Sequence, residues 1–266
     1  MLSYLFYGIL AGTHRAAWGG FKDTPYEPYK LSKSIRSVIL GGLWGVFQYC
    51  VYPLYNIDVL DVSPAFVYLV SLSLDTLTTE YYKLFVRRES QERYKIPSTF
   101  HLLKLEANPY VKFFAGILLM VIAYTVFVFS FGFNLPTQSE VGVVKVLLVG
   151  AGLGLFAGVL EAVGGSWKDA PFEGFSYVKF FRSPIVSTLW GVLLSLYIGN
   201  LGILLFSIAG GNRITVEFYK TFIKHNKVGK FKRAKPEFPE WVKRRKVFLI
   251  PYVITWVFFL AAFLFS

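Results

Sequence analysis

Cysteine is nearly missing from this sequence. Cys50 is the only one in 266 residues, which excludes an internal disulfide framework and a CxxC metal pair. Lying in an apolar run, Cys50 is expected to be a small buried hydrophobe. Histidine is almost as scarce. His14, His101 and His225 have no metal spacing, no HExxH motif and no axial pair for haem, and each is expected at a membrane interface. No nucleophile elbow and no P-loop are present. Asp23 with Glu27 is too little for a magnesium site, so no cofactor is specified. The first residues, Met1 to Gly12, lack a basic lead and a small-residue cleavage site, and are expected to be a retained helix. Acidic residues are also few, 16 against 28 Lys plus Arg, for a formal net charge of +12.

Apolar residues are abundant instead. Hydrophobic residues make up 55% of the chain and aromatic residues 19%, and mean hydropathy is +0.50. That is too apolar for a domain that must cover itself with polar surface. Stretches of bilayer length, about 20 residues, fall near 36–56, 62–82, 110–133, 141–163, 183–199, 200–212 and 246–266, with a weaker run at 2–19 that His14 and Arg15 interrupt. The expected fold class is an all-α polytopic membrane bundle of about eight helices. The tightest break, between the sixth and seventh, falls at Ile198, Gly199, Asn200 and Gly202.

Charge gives this count an orientation. Cytoplasmic loops collect Lys and Arg. With the N-terminus outside, the segments after the first, third, fifth and seventh helices hold 5, 7, 3 and 12 basic residues, 27 of the 28. The opposite loops carry Asp58, Asp61 and Glu140, and Lys145 is the one basic residue elsewhere. The excess charge is therefore a topology signal, nucleic-acid binding is not expected, and both termini are expected to be extracytoplasmic.

The chain also repeats itself. Residues 11–46 align without gaps on 157–192 at an offset of 146, with 16 identities in 36 positions. A second block, Thr78, Glu80, Tyr82, Lys83 and Phe85, matches Thr215, Glu217, Tyr219, Lys220 and Phe222 at an offset of 137. The expected organisation is two tandem membrane repeats, 1–138 and 139–266, each with an even number of spans. They are then parallel copies related by an axis along the membrane normal, with pseudo-two-fold symmetry. Small-xxx-small spacing in Gly8 and Gly12, and in Gly150, Gly154 and Gly158, marks the first helix of each copy as the expected seam between copies.

Two motifs carry the candidate site. The loop motif K-D-x-P-[YF]-E supplies Lys22, Asp23 and Glu27, then Lys33 and Arg36, in the first copy. In the second it supplies Lys168, Asp169 and Glu173, then Lys179 and Arg182. The motif T-x-E-[YF]-Y-K adds Glu80 with Lys83 and Glu217 with Lys220. These residues suit either a salt-bridged collar or a cytoplasmic site for an anionic or phosphorylated group. Arg15 and Glu161 align with each other at opposite charge and are expected to pair across the pseudo-axis.

Two copies that keep the same charged set favour a shared pathway, as in a transporter, channel or lipid translocator. A membrane enzyme acting on a lipid phosphate or polyprenyl phosphate is the second reading. A structural or assembly subunit is the third. Expected partners are membrane lipids, with the basic segment Lys224–Lys246, including Lys227, Lys230, Lys232, Arg233 and Lys235, against anionic inner-leaflet headgroups. A homo-oligomer or larger membrane complex is also compatible.

Overall fold

The computed structural model describes residues 1–224, 231–232 and 235–265. His225, Lys227, Lys230 and Arg233 lie outside the described residues. The fold is all-helical apart from one small hairpin, β1 (His101–Leu102) paired antiparallel with β2 (Leu105–Glu106). Long helices stand where the apolar runs place them: α1 (Leu2–Asp23), α2 (Leu31–Val51), α3 (Pro64–Tyr81), α4 (Pro109–Phe131), α6 (Val143–Glu173), α7 (Tyr177–Leu194), α8 (Leu201–Phe218) and α10 (Leu249–Leu264). Short helices α5 (Gln138–Val141) and α9 (Pro239–Arg244) connect them. Among the described residues, five segments are long and apolar enough to cross a membrane: Leu31–Tyr55, Pro109–Phe131, Val143–Glu173, Leu201–Ile223 and Pro239–Leu264. The protein is therefore read as an integral membrane protein. Of these five segments, the one on α8 is the most enclosed, 67% buried, and α4 is the least, 11% buried.

The chain divides into two compact units, Met1–Thr76 with Glu217–Ser266, and Leu77–Val216. Both units draw on both halves of the chain. Helices α3 and α8 each begin in one unit and end in the other, and both finish in a π turn, Tyr82–Val86 and Tyr219–Ile223.

In unit 1, α1 and α2 form a hairpin whose backbones touch. A Cβ at Gly8 would overlap the carbonyl oxygen of Gly41, one at Gly12 that of Ser37, and one at Gly45 that of Tyr4. In unit 2, α6 and α7 repeat this arrangement. A Cβ at Gly154 would overlap the Ser187 carbonyl, one at Gly158 would meet Pro184, and one at Gly191 would overlap the Gly150 carbonyl. The contacting positions in the second hairpin are those of the first raised by 146. Gly8, Gly12, Gly150, Gly154 and Gly158 were expected at a seam between copies, and here a correction is needed: their bare faces are filled by the next helix in the chain. Short connections bring sequential antiparallel helices together first, and only glycine lets their backbones approach this closely.

The turns of the two hairpins differ. Helix α1 stops at Asp23, where Thr24 bonds back to the Gly20 carbonyl through both its amide and its hydroxyl. Helix α6 runs on through Pro171 and ends at Gly174, whose φ of +80° suits glycine. Pro171 of the loop motif sits inside the last turn of this helix.

In unit 1, the segment after α8 packs on the α1–α2 turn: the Phe238 amide donates to the Pro25 carbonyl at 3.0 Å, Tyr26 stacks on Phe231, and Gly20 lies against the Phe248 ring. In unit 2, the tight break between α7 and α8 is held by Asn200. Its side-chain amide donates to the Phe131 backbone carbonyl at 2.9 Å and to the Asn134 side-chain oxygen at 3.1 Å. Its own oxygen accepts the Gly202 and Ile203 amides, at 3.0 and 3.2 Å, which caps α8. Cys50 is exposed, against expectation, because the buried stripe of α2 is Gly41, Gly42, Gly45 and Gln48 and position 50 turns away from it.

Candidate functional site

Each unit holds a cluster of ionisable side chains on its helices. In unit 1, Arg15 of α1 meets Asp75 of α3, Nε to Oδ2 at 3.2 Å, with Asp75 wholly buried. One residue earlier on α1, His14 is also wholly buried. Its Nδ1 lies 2.7 Å from the Tyr68 hydroxyl and 3.3 Å from the Thr255 hydroxyl. Its Nε2 faces the Glu217 carboxylate of α8 at 3.8 Å, with Glu217 only 2% exposed. The rings of Tyr252 and Trp256 from α10 close over the imidazole, with centroids at 4.7 and 6.0 Å. A turn further on, the Trp18 indole N–H donates to the Thr221 hydroxyl. These polar groups share the interior because small residues on α1 leave room for neighbouring helices, and because each charge has an opposite charge or a hydrogen-bond partner.

In unit 2, Glu80 near the end of α3 accepts from Lys83 at 2.7 Å and from Lys168 of α6 at 3.2 Å. Lys83 is the i+3 neighbour that helix geometry places on the same face, whereas Lys168 comes from the other sequence copy. Arg213 adds a third positive charge acting on Glu80, and it also acts on Glu161. Glu161 of α6 accepts a short hydrogen bond from the Asn212 amide of α8. At the same end, the Glu173 carboxylate binds Lys179 at 2.5 Å and Lys95 at 3.2 Å. His101 is 1% exposed, stacked on Trp167, with Nδ1 2.9 Å from the Thr99 carbonyl.

The expected site residues therefore fall into several groups. Lys168, Glu80 and Lys83 come together. Glu173 and Lys179 form one tie. Glu27 and Lys33 form another, at 3.4 Å in unit 1. Both ties join a loop-motif glutamate to the lysine six residues on, at aligned positions. Asp23 caps the end of α1, where its carbonyl receives the Tyr26 and Glu27 amides, and Lys22 lies over the Trp18 ring at 4.8 Å. Asp169 lies in the last turns of α6, Arg36 in α2, Arg182 in α7 and Lys220 in the π turn after α8. Glu217 lies in unit 1 with His14, and Arg15 and Glu161 lie in different units, each with the partner described above.

Asp75, Tyr68, Thr255, Asn212 and Lys95 were not singled out from sequence, and His14 was named but given no part in the site. His14 and His101 were expected at interfaces, and both are buried. The sequence did contain a signal for two of the others. Extending the 137 offset back from Glu80 aligns Asp75 with Asn212. The Arg15–Asp75 pair then occupies the positions of Glu161–Asn212.

Among the described residues, no group of three or more His, Cys, Asp or Glu side chains stands close enough to hold a metal ion. A cavity of about 150 Å³ lies at the other end of unit 2, lined by Leu135, Pro136, Gln138, Val146, Ser195 and Gly199 among others. No known protein family, no curated protein and no solved structure matches this chain.

Proposed function

We propose that this protein is a membrane transporter or lipid translocator that receives an anionic or phosphorylated group at its cytoplasmic end. In this reading all eight long helices span the bilayer as two parallel four-helix copies, and both termini are extracytoplasmic. One observation carries it: Glu80 is shared by Lys83 and Lys168, with Arg213 acting on it as well, so cations from both sequence copies converge on one carboxylate. Lysine ammonium groups gathered at one carboxylate present donors of the kind that also bind an anion such as phosphate. Helix α6 favours access from the aqueous side. Its 31 residues span roughly 46 Å at about 1.5 Å per residue, against about 30 Å of hydrocarbon. One end therefore stands clear of the bilayer core.

The test is anion binding by the protein in lipid nanodiscs, read with inorganic phosphate and with nanodiscs containing phosphatidic acid. Lys168→Gln should weaken binding by roughly tenfold, about one charge-assisted hydrogen bond, while Glu80→Gln should leave it equal or tighter. Binding that is absent, or indifferent to Lys168, would remove the proposal. The structural reading has its own support in the Glu27–Lys33 and Glu173–Lys179 ties, which staple the two hairpin turns in the same way. If Lys179→Gln lowers thermal stability without touching anion binding, those residues are clamps and the binding site is confined to the Glu80 cluster.

A further inference from the structure

We infer that His14 and Glu217 form a proton-binding site within unit 1. The geometry has three parts. First, both side chains are withdrawn from solvent, His14 completely and Glu217 to 2% exposure, so a bare charge on either is costly and a proton shared between them is favoured. Second, the imidazole has a neighbour for each of its protonation states. The Thr255 hydroxyl already donates to the Tyr252 carbonyl at 2.8 Å, so towards Nδ1, 3.3 Å away, it acts as acceptor. The Tyr68 hydroxyl, 2.7 Å from Nδ1, can donate to it. With Nδ1 bare, Tyr68 donates and Nε2 carries the hydrogen towards Glu217; with both nitrogens protonated, Thr255 accepts from Nδ1 and Glu217 faces an imidazolium. Third, the 3.8 Å between Nε2 and the carboxylate is about 1 Å longer than a hydrogen bond, the separation of an ion pair or of groups joined through one water.

The groups facing this pair come from four helices. Arg15 shares α1, and its charge is met by Asp75 of α3 at 3.2 Å. Tyr68 is also on α3, Glu217 is on α8, and Tyr252, Thr255 and Trp256 are on α10. An imidazole and one carboxylate offer fewer ligands than a zinc or calcium ion takes. A proton needs only one nitrogen or oxygen. It is taken from water by the imidazole or the carboxylate, giving imidazolium with carboxylate or imidazole with carboxylic acid, and is returned to water on release.

If the transporter reading holds, this is the site through which a proton gradient would drive it. The inference about proton binding itself does not depend on that reading.

The experiment uses the full-length protein in lipid nanodiscs, with ring-15N histidine followed by NMR and carboxyl bands by infrared difference spectroscopy, from about pH 9 to about pH 5. His101→Asn and His225→Gln, made singly, assign the His14 signals by subtraction. The expected result is that the His14 ring and one carboxyl group change together in a single step. Glu217→Gln should remove that carboxyl change and move the His14 midpoint by more than tenfold in proton concentration, whereas Glu80→Gln should move it by less than twofold. Should Glu217→Gln not fold, Glu217→Asp, which keeps the charge on a shorter arm, should still shift the midpoint. His14 signals that stay constant across the range, or a midpoint unmoved by both Glu217 variants, would overturn the inference. Proton uptake with a flat phosphate titration would remove the transporter reading and leave this site standing; phosphate binding without proton uptake would do the reverse.

Discussion

The α1–α2 and α6–α7 hairpins have the same backbone contacts and different chemistry. Gly8, Gly12 and Gly45 in one do what Gly154, Gly158 and Gly191 do in the other. At the next positions along the same helices the match breaks: His14 and Arg15 stand where the second copy has Leu160 and Glu161. The partners change with them, from Asp75 to Asn212, so an ion pair in unit 1 becomes a carboxyl–amide bond in unit 2. Close helix packing is a requirement of shape, and glycine meets it in both places. Charge at a buried position only has to be compensated, and different pairs can do that.

The largest effects should come from breaking what the hairpins share. Gly12→Val and Gly158→Val would each drive a side chain into backbone that cannot move aside. Both should abolish folded protein or cost about 3 kcal/mol or more, read as loss of a monodisperse peak in detergent and a fall in Tm. Gly19→Ala and Gly164→Ala, where no atom lies within 4 Å of the added Cβ, should be neutral or stabilising, since alanine is the better helix former. Equal damage from all four would show that the close contacts are not what holds the hairpins.

The next effect should separate the units. Asp75→Ala leaves a buried guanidinium with its carboxylate partner removed and should cost about 3–5 kcal/mol. Glu161→Gln keeps a hydrogen-bonding group beside Asn212 and should cost about 1 kcal/mol or less. Thermal unfolding of the two variants side by side checks this, and equal losses would erase the distinction drawn here.

Much of this architecture could be read from the sequence, and the limits have physical reasons. The apolar runs announced the all-helical membrane class, and five of the helices formed are long and apolar enough to cross a bilayer, because bilayer-length hydrophobicity is a local property. The turn at Ile198–Gly202 was found because glycine and asparagine announce it. The glycine spacing identified close helix contact, but a periodic face does not name its partner, and the next helix in the chain took it. The part His14 plays was not legible because its partners come from α3, α8 and α10, far away in sequence. Asp75 was overlooked for a similar reason: it sits in a helix rich in serine and threonine, and only its partnership with Arg15 marks it out. Of the candidate residues, the Glu80–Lys83 pair was legible from i, i+3 spacing, whereas the reach of Lys168 to the same carboxylate depends on tertiary packing.

The smallest effect should be one of pH, in the β1–β2 hairpin of unit 2. Glu106, on the exposed hairpin strand β2, is held below the usual carboxylate range mainly by its hydrogen bond from Lys112. A depressed carboxyl stabilises the folded hairpin above its unfolded value, about pH 4.5, and loses that contribution as pH falls through its lower folded value. Amide exchange at Ala107, which bonds the Phe100 carbonyl, should therefore speed up at acid pH relative to the intrinsic rate. Glu106→Gln should show little such pH dependence.

The division of the chain into units also bears on biosynthesis. The compact body containing His14 needs residues 217–266, which leave the ribosome long after α1 has been made. Until then the histidine has neither the carboxylate of α8 nor the rings of α10 around it. The first helix is therefore complete well before the helices that bury its histidine exist, and the arrival of α10 closes its surroundings.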